Sequence, residues 1–137
     1  MNIDEMKYVI LVDGSLPKGV AANTAAVLSA TVGSCVPELI GHTVEDGAGA
    51  QHQGITMLPI AVLQCNQSRM QEVRLSGEQK GMLVVGFTRT AQHAHDYEHY
   101  ERCMSGAEPD ELEYLGVAVF GERKAVTGLT GDMGLLR

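Results

Sequence analysis

Asp13-Gly14-Ser15 closes an apolar run, and Lys18 and Asn23 follow within the next ten residues. In open α/β sheets, ligands bind beyond the carboxyl ends of strands, near helix N-termini whose free N–H groups attract anions. Lys18 in the first turn of such a helix adds charge attraction for a phosphate or carboxylate. Asp13, Gly14, Lys18 and Asn23 are therefore candidates for binding or acting on a small anionic molecule. The plainer alternative makes Asp13 and Ser15 turn and cap residues and leaves Lys18 solvated. Neither G-x-x-x-x-G-K-[ST] nor G-x-G-x-x-G occurs, so nucleotide binding has no motif support.

A second group lies in residues 41–54, where four glycines, Glu45, Asp46, His42 and His52 follow no period. A stretch like this reads as a long loop, and long loops in compact domains tend to carry function. Asp46 and His52 pair a carboxylate with an imidazole, and the two could orient each other for proton transfer. The alternative is a surface turn at Asp46-Gly47. Taken with the first group, the expected site is a pocket of Asp13, Lys18, Asn23, Asp46 and His52. In it Lys18, Asn23 and His52 are the catalytic candidates, and Asp13, Gly14, Asp46 and Gly47 bind the ligand.

His93, His95 and His99 fall in a polar stretch. A spacing of four places His95 and His99 on one helical face, which can chelate Zn²⁺. The same wheel turns His93, Tyr97, Tyr100 and Met104 toward the core and leaves His95 and His99 beside Arg102 in solvent. No third ligand is evident, so no metal site is expected, and no cofactor either. Cys35, Cys65 and Cys103 are odd in number and widely spaced, which argues against a disulfide framework and for a reducing compartment.

The elements that must position these groups can be read from periodicity. Residues 6–12 form a β-branched apolar run, the mark of a strand buried on both faces. A helix is predicted over 16–32, with Ser15 as cap, Pro17 in its first turn and Gly33 closing it. Its small residues, Ala21, Ala22, Ala25, Ala26 and Ser29, suggest close packing on the sheet. A second strand at 57–65 carries Pro59 near its start, which favours a sheet edge. Ser68-Arg69-Met70-Gln71 has the form of a capping box and opens a helix to about residue 80. A strand at 81–88, a polar helix at 91–104, a strand at 115–120 and a helix from near Glu122 complete the order. Alternation of this kind implies an α/β sandwich of three layers, one sheet covered on both faces. A chain of 137 residues suits one domain, residues 1–137.

Composition narrows the function classes. Apolar residues make up 45% and charged residues 20%, the usage of ordinary globular chains. Ten basic residues are scattered among seventeen acids, for a net charge of −7. Nucleic-acid affinity draws on clustered Lys and Arg, so a tRNA or DNA partner is disfavoured. Acidic residues at Asp4 and Glu5, no membrane-length apolar run and the cysteine pattern together lead us to expect a cytoplasmic protein.

The two ends of the chain resemble the type II peptidyl-tRNA hydrolases. The residues concerned are Asp13-Gly14-Ser15-Leu16-Pro17-Lys18-Gly19-Val20-Ala21-Ala22-Asn23, then Phe120-Gly121 with Ala125-Val126-Thr127-Gly128 and Leu135-Leu136. The chain is similar, more closely, to a bacterial family of unknown function that shares this fold. That family shows an Asn in its first helix, an Asp-Gly-x-x-His loop and a Pro-Ile-x-Val-Leu strand; here these are Asn23, residues 46–51 with His52 near the expected place, and Pro59-Ile60-Ala61-Val62-Leu63. The resemblance implies a four-stranded mixed sheet in the order 2-1-4-3 between helical layers, and a homodimer. It also implies an ester hydrolase in which Lys18 polarises the ester and Asn23 orients it. The register of Lys18 is shifted, Asn23 stands for a Gln, and Ser105-Gly106-Ala107-Glu108-Pro109-Asp110 replaces an Asp-Ala-Gly-x-Thr stretch. Three readings follow: a binder of, or enzyme on, a small anionic molecule; a peptidyl-tRNA or aminoacyl-ester hydrolase; and a non-enzymatic dimeric interaction protein.

Overall fold

The apolar run becomes the central strand β1 (Met6–Asp13), in which Tyr8 to Val12 are all buried. The computed structural model describes residues 1–137. β1 pairs in parallel with the edge strand β4 (Ile60–Cys65) and antiparallel with β6 (Tyr114–Glu122). β6 pairs antiparallel with the second edge strand, β5 (Leu83–Thr88), giving a mixed sheet in the order β4-β1-β6-β5. Because side chains alternate along a strand, the sheet needs cover on both faces. Tyr8, Ile10 and Val12 pack with Leu28 and Val32 of helix α1 (Lys18–Cys35). Val9 and Leu11 pack with Met70 and Val73 of α2 (Gln67–Gln79) and Val126 of α5 (Arg123–Thr130).

Gly116 explains how closely α1 sits on the sheet. A Cβ there would lie 2.5 Å from the Thr24 methyl and 2.8 Å from the Leu11 carbonyl oxygen. The small residues of α1 contribute less than expected. Ala21 is buried and Ala25 and Ser29 are half-buried, but Ala22 and Ala26 face solvent, because the inward face is Ala21, Thr24, Leu28 and Val32.

Three helix starts differ from the sequence reading, each through a local side-chain bond. Ser15 does not cap α1: its N–H and hydroxyl both bond Asp13 Oδ1, and Pro17 takes the cap position. Gly33 lies inside the helix, which runs on to Cys35. Asn66, not Ser68, caps α2, accepting the Arg69 N–H at 2.9 Å. The polar helix is broken into α3 (Arg89–His93) and α4 (Tyr97–Ser105). Ala94 is extended, and Asp96 accepts the His99 N–H at 2.8 Å, so a second cap outcompetes helix continuation. The break also places His93 and Tyr97 in solvent instead of the core.

Residues 41–54 contain a short hairpin, β2 (Val44–Glu45) with β3 (Gln51–His52), turning through Gly49 at φ 84°. The last residues run antiparallel along the outer edge of β4, with bonds from Gln64 N–H to Gly134 and from Leu136 N–H to Val62. This covers an edge that would otherwise invite pairing with another chain. No helix is long and apolar enough to cross a membrane.

Candidate functional site

β1 and β4 run in parallel and end level with each other, Asp13 beside Cys65. Beyond those ends opens a cleft of about 690 Å³ lined by Asp13, Gly14 and Ser15 on one side and Cys65, Asn66 and Arg69 on the other. Asp132 and Gly134 of the C-terminal segment close its third wall. The walls are mostly polar, as expected where strands stop and helix N-termini begin.

Asp13 is held in the cleft by three hydrogen bonds. Its Oδ1 accepts the Ser15 N–H at 2.9 Å and the Ser15 hydroxyl at 2.7 Å, and Oδ2 accepts the Gln67 amide at 3.3 Å. Burial alone would raise its pKa, but the Ser15 donors, Gln67 and the charge of Arg89 outweigh burial and hold it below the ordinary carboxylate value. Asp13 thus presents a negative charge at neutral pH. Gln67 itself is fixed from behind, since its amide donates to the Tyr114 carbonyl and its oxygen accepts the Tyr114 N–H at 3.0 Å. Cys65 behaves differently: burial pushes its thiol up more strongly than nearby Arg69 lowers it, so it is a protonated wall group. Arg69 bonds Glu72 and Asp132 at 2.9 Å each and the Leu129 carbonyl at 3.2 Å, tying α2 to the end of α5.

The residues expected to form one pocket separate into two ends of the molecule. Asp13 and Gly14 line the cleft, while Lys18, the first residue of α1, and Asn23, on its outer face, are exposed and outside the lining. Asp46, Gly47 and His52 belong to the hairpin, which is rooted beside the start of β4 by the Gly41–Ile55 and Met57–Leu39 backbone bonds. That end of β4 is level with Tyr8, not with Asp13. The reason is topological: α1 leaves the cleft and its eighteen residues carry the chain back about 27 Å before the hairpin begins. Asp46 does meet His52, at 2.8 Å, but both are exposed, and Asp46 also accepts the Ala48 and Ala50 N–H groups. The His52 bond, then these N–H groups, lower the Asp46 pKa. The pair closes a turn.

Sequence reasoning missed Cys65, Asn66, Gln67, Arg69 and Asp132. The strand-end rule that selected Asp13, applied equally to the second strand, points to Cys65 and Asn66. Nothing local marks Gln67, which reaches across to the start of β6, or Asp132, which arrives through the fold of the C-terminal segment. No group of three or more His, Cys, Asp or Glu side chains is placed to hold a metal ion.

A family described as a protein of unknown function, DUF2000, matches residues 6–137. A solved structure of a protein of unknown function from Agrobacterium tumefaciens strain C58 superposes with a TM-score of 0.86 at 20% identity, covering 96% of this chain and 97% of the other. At that identity the likeness speaks for the fold alone. No curated protein matches the sequence significantly. The chain belongs to the DUF2000 family, whose function is unknown.

Proposed function

We propose that this DUF2000 member binds a small polar molecule in the cleft at the carboxyl ends of β1 and β4, with Asp13 as its charged anchor. The observation that carries this reading is Asp13 itself, kept ionised at the rim of a polar cleft by Ser15 and Gln67. The charge pattern favours a ligand with an ammonium or other donor end rather than the anionic molecule expected from Lys18. In the lining Arg69 and Asp132 pair with each other, Arg69 pairs with Glu72 as well, and Lys18 lies outside, so Asp13 is the one lining charge without an ion-pair partner. Thermal shift of the purified protein against primary amines, amino-acid esters, carboxylates and phosphates tests this. An amine-class hit lost in Asp13→Asn supports it; hits confined to anions, or insensitive to Asp13→Asn, refute it.

A second reading is an aminoacyl-ester or peptidyl-tRNA hydrolase. The sheet order β4-β1-β6-β5 supports a fold of the type II peptidyl-tRNA hydrolase kind, and an aminoacyl ester carries the amine that Asp13 would hold. Absence of turnover on a model aminoacyl ester at saturating concentration would remove this reading. A homodimer is proposed with either, supported by α1, whose exposed Ala22, Asn23, Ala26, Val27 and Ala30 carry no charge. A chain that sediments as a monomer at micromolar concentration would refute the dimer.

A further inference from the structure

The three cysteines stand in different surroundings. Cys35 is exposed near the end of α1 and has no side-chain hydrogen-bond partner; Cys65 is the half-buried wall thiol whose proton is held by burial. Cys103, half-buried on α4, has its Sγ 3.3 Å from His99 Nε2. The other ring nitrogen, His99 Nδ1, accepts the His95 backbone N–H at 3.0 Å. A nitrogen that accepts an N–H must present its lone pair, so the proton of the neutral ring sits on Nε2 and points at sulfur. The His95 ring stacks on that of His99, centroids 4.8 Å apart and planes 14° from parallel, which holds the orientation. A backbone donor just before α4, an oriented imidazole in its first turn and a thiol one turn later thus form one chain of hydrogen bonds.

We propose that Cys103 is the reactive cysteine of this chain, a nucleophile toward peroxides and soft carbon electrophiles, with the His99 N–H as its supporting donor. The nucleophilic form of cysteine is the thiolate, and N–H donors aimed at sulfur stabilise it. With hydrogen peroxide, the sulfur attacks one oxygen and the O–O bond breaks. The sulfur is oxidised to a sulfenate, and the departing hydroxide takes a proton to leave as water. With iodoacetamide, the sulfur displaces iodide from carbon and a thioether forms, the thiol proton having passed to solvent. His99 cannot serve as a general base here, because its free lone pair is turned to the His95 N–H. Its contribution is donation alone.

The test uses the full-length protein and limiting iodoacetamide at neutral pH, with the rate at each cysteine followed by peptide mass spectrometry. Cys103 should alkylate roughly threefold or more faster than Cys35, although Cys35 is the more exposed. His99→Ala should bring the Cys103 rate down to that of Cys35 or below while leaving Cys35 unchanged, and His99→Gln, whose amide can still donate, should restore part of it. Dimedone after a peroxide pulse should label Cys103 before Cys35. A Cys103 rate no greater than that of Cys35, or one that His99→Ala leaves unchanged or raises, overturns the proposal. So does dimedone labelling that favours Cys35. An unchanged Cys35 rate in each variant shows that the fold is intact.

Discussion

Gln67→Ala isolates the contact that joins the cleft to the sheet. The Gln67 amide pairs with both backbone groups of Tyr114, just where β5 and β6 shift register between Phe87 and Thr88. Tyr114 is buried, so truncation leaves its N–H and C=O without partners in a place water reaches poorly. Each such group costs on the order of 1–1.5 kcal/mol, and the bond to the Asp13 carboxylate is lost as well, giving about 2–3 kcal/mol after the freed side-chain entropy is credited. For a chain of this length about 3–4 °C is lost per kcal/mol, so Tm should fall by about 6–12 °C. Calorimetry at pH 7 reads this directly. Gln67→Glu sharpens the test: it keeps the acceptor for the Tyr114 N–H but sets a second carboxylate against Asp13. That variant should be at least as unstable as Gln67→Ala at pH 7 and should recover toward it as the new carboxyl protonates. A fall in Tm under about 2 °C for Gln67→Ala would refute the claim that this side chain completes the start of β6.

Two further outcomes follow from the packing and from the charge of the cleft. Gly116→Ala should destabilise by about 1–3 kcal/mol in urea unfolding, because the new methyl meets the Thr24 methyl and the Leu11 carbonyl and pushes α1 off the sheet; an unchanged midpoint would mean that α1 can shift freely. Asp13 has a folded pKa below the ordinary carboxylate value, so its contribution is complete above that ordinary value and is lost as pH falls through the folded one. The Tm difference between the wild type and Asp13→Asn should therefore hold steady from pH 7 to about 5 and narrow below about 4. A difference that widens on acidification would reverse the assigned sign.

The sequence determined the elements that are encoded locally. Residues 8–12 are hydrophobic at every position, a pattern suited to a strand with both faces covered, and β1 lies between α1 on one face and α2 and α5 on the other. Alternation of strands and helices likewise pointed to one sheet with helical cover on both faces, whereas its mixed pairing was implied only by the family resemblance. Element edges were less legible, because Asp13, Asn66 and Asp96 each made bonds that propensity could not rank against rival caps. The candidate cleft was legible by halves: the strand-end rule pointed to Asp13 and Gly14, which line it. Whether Lys18, Asn23, Asp46 and His52 joined them depended on the direction in which α1 carried the chain, and that is set by the parallel pairing of β1 with β4. Only tertiary structure sets Gln67 against Asp13 and Tyr114 and brings Asp132 to Arg69 in the cleft. Their contacts span 47 to 63 residues of chain, and no local pattern records a bond whose two partners meet only after the sheet has closed.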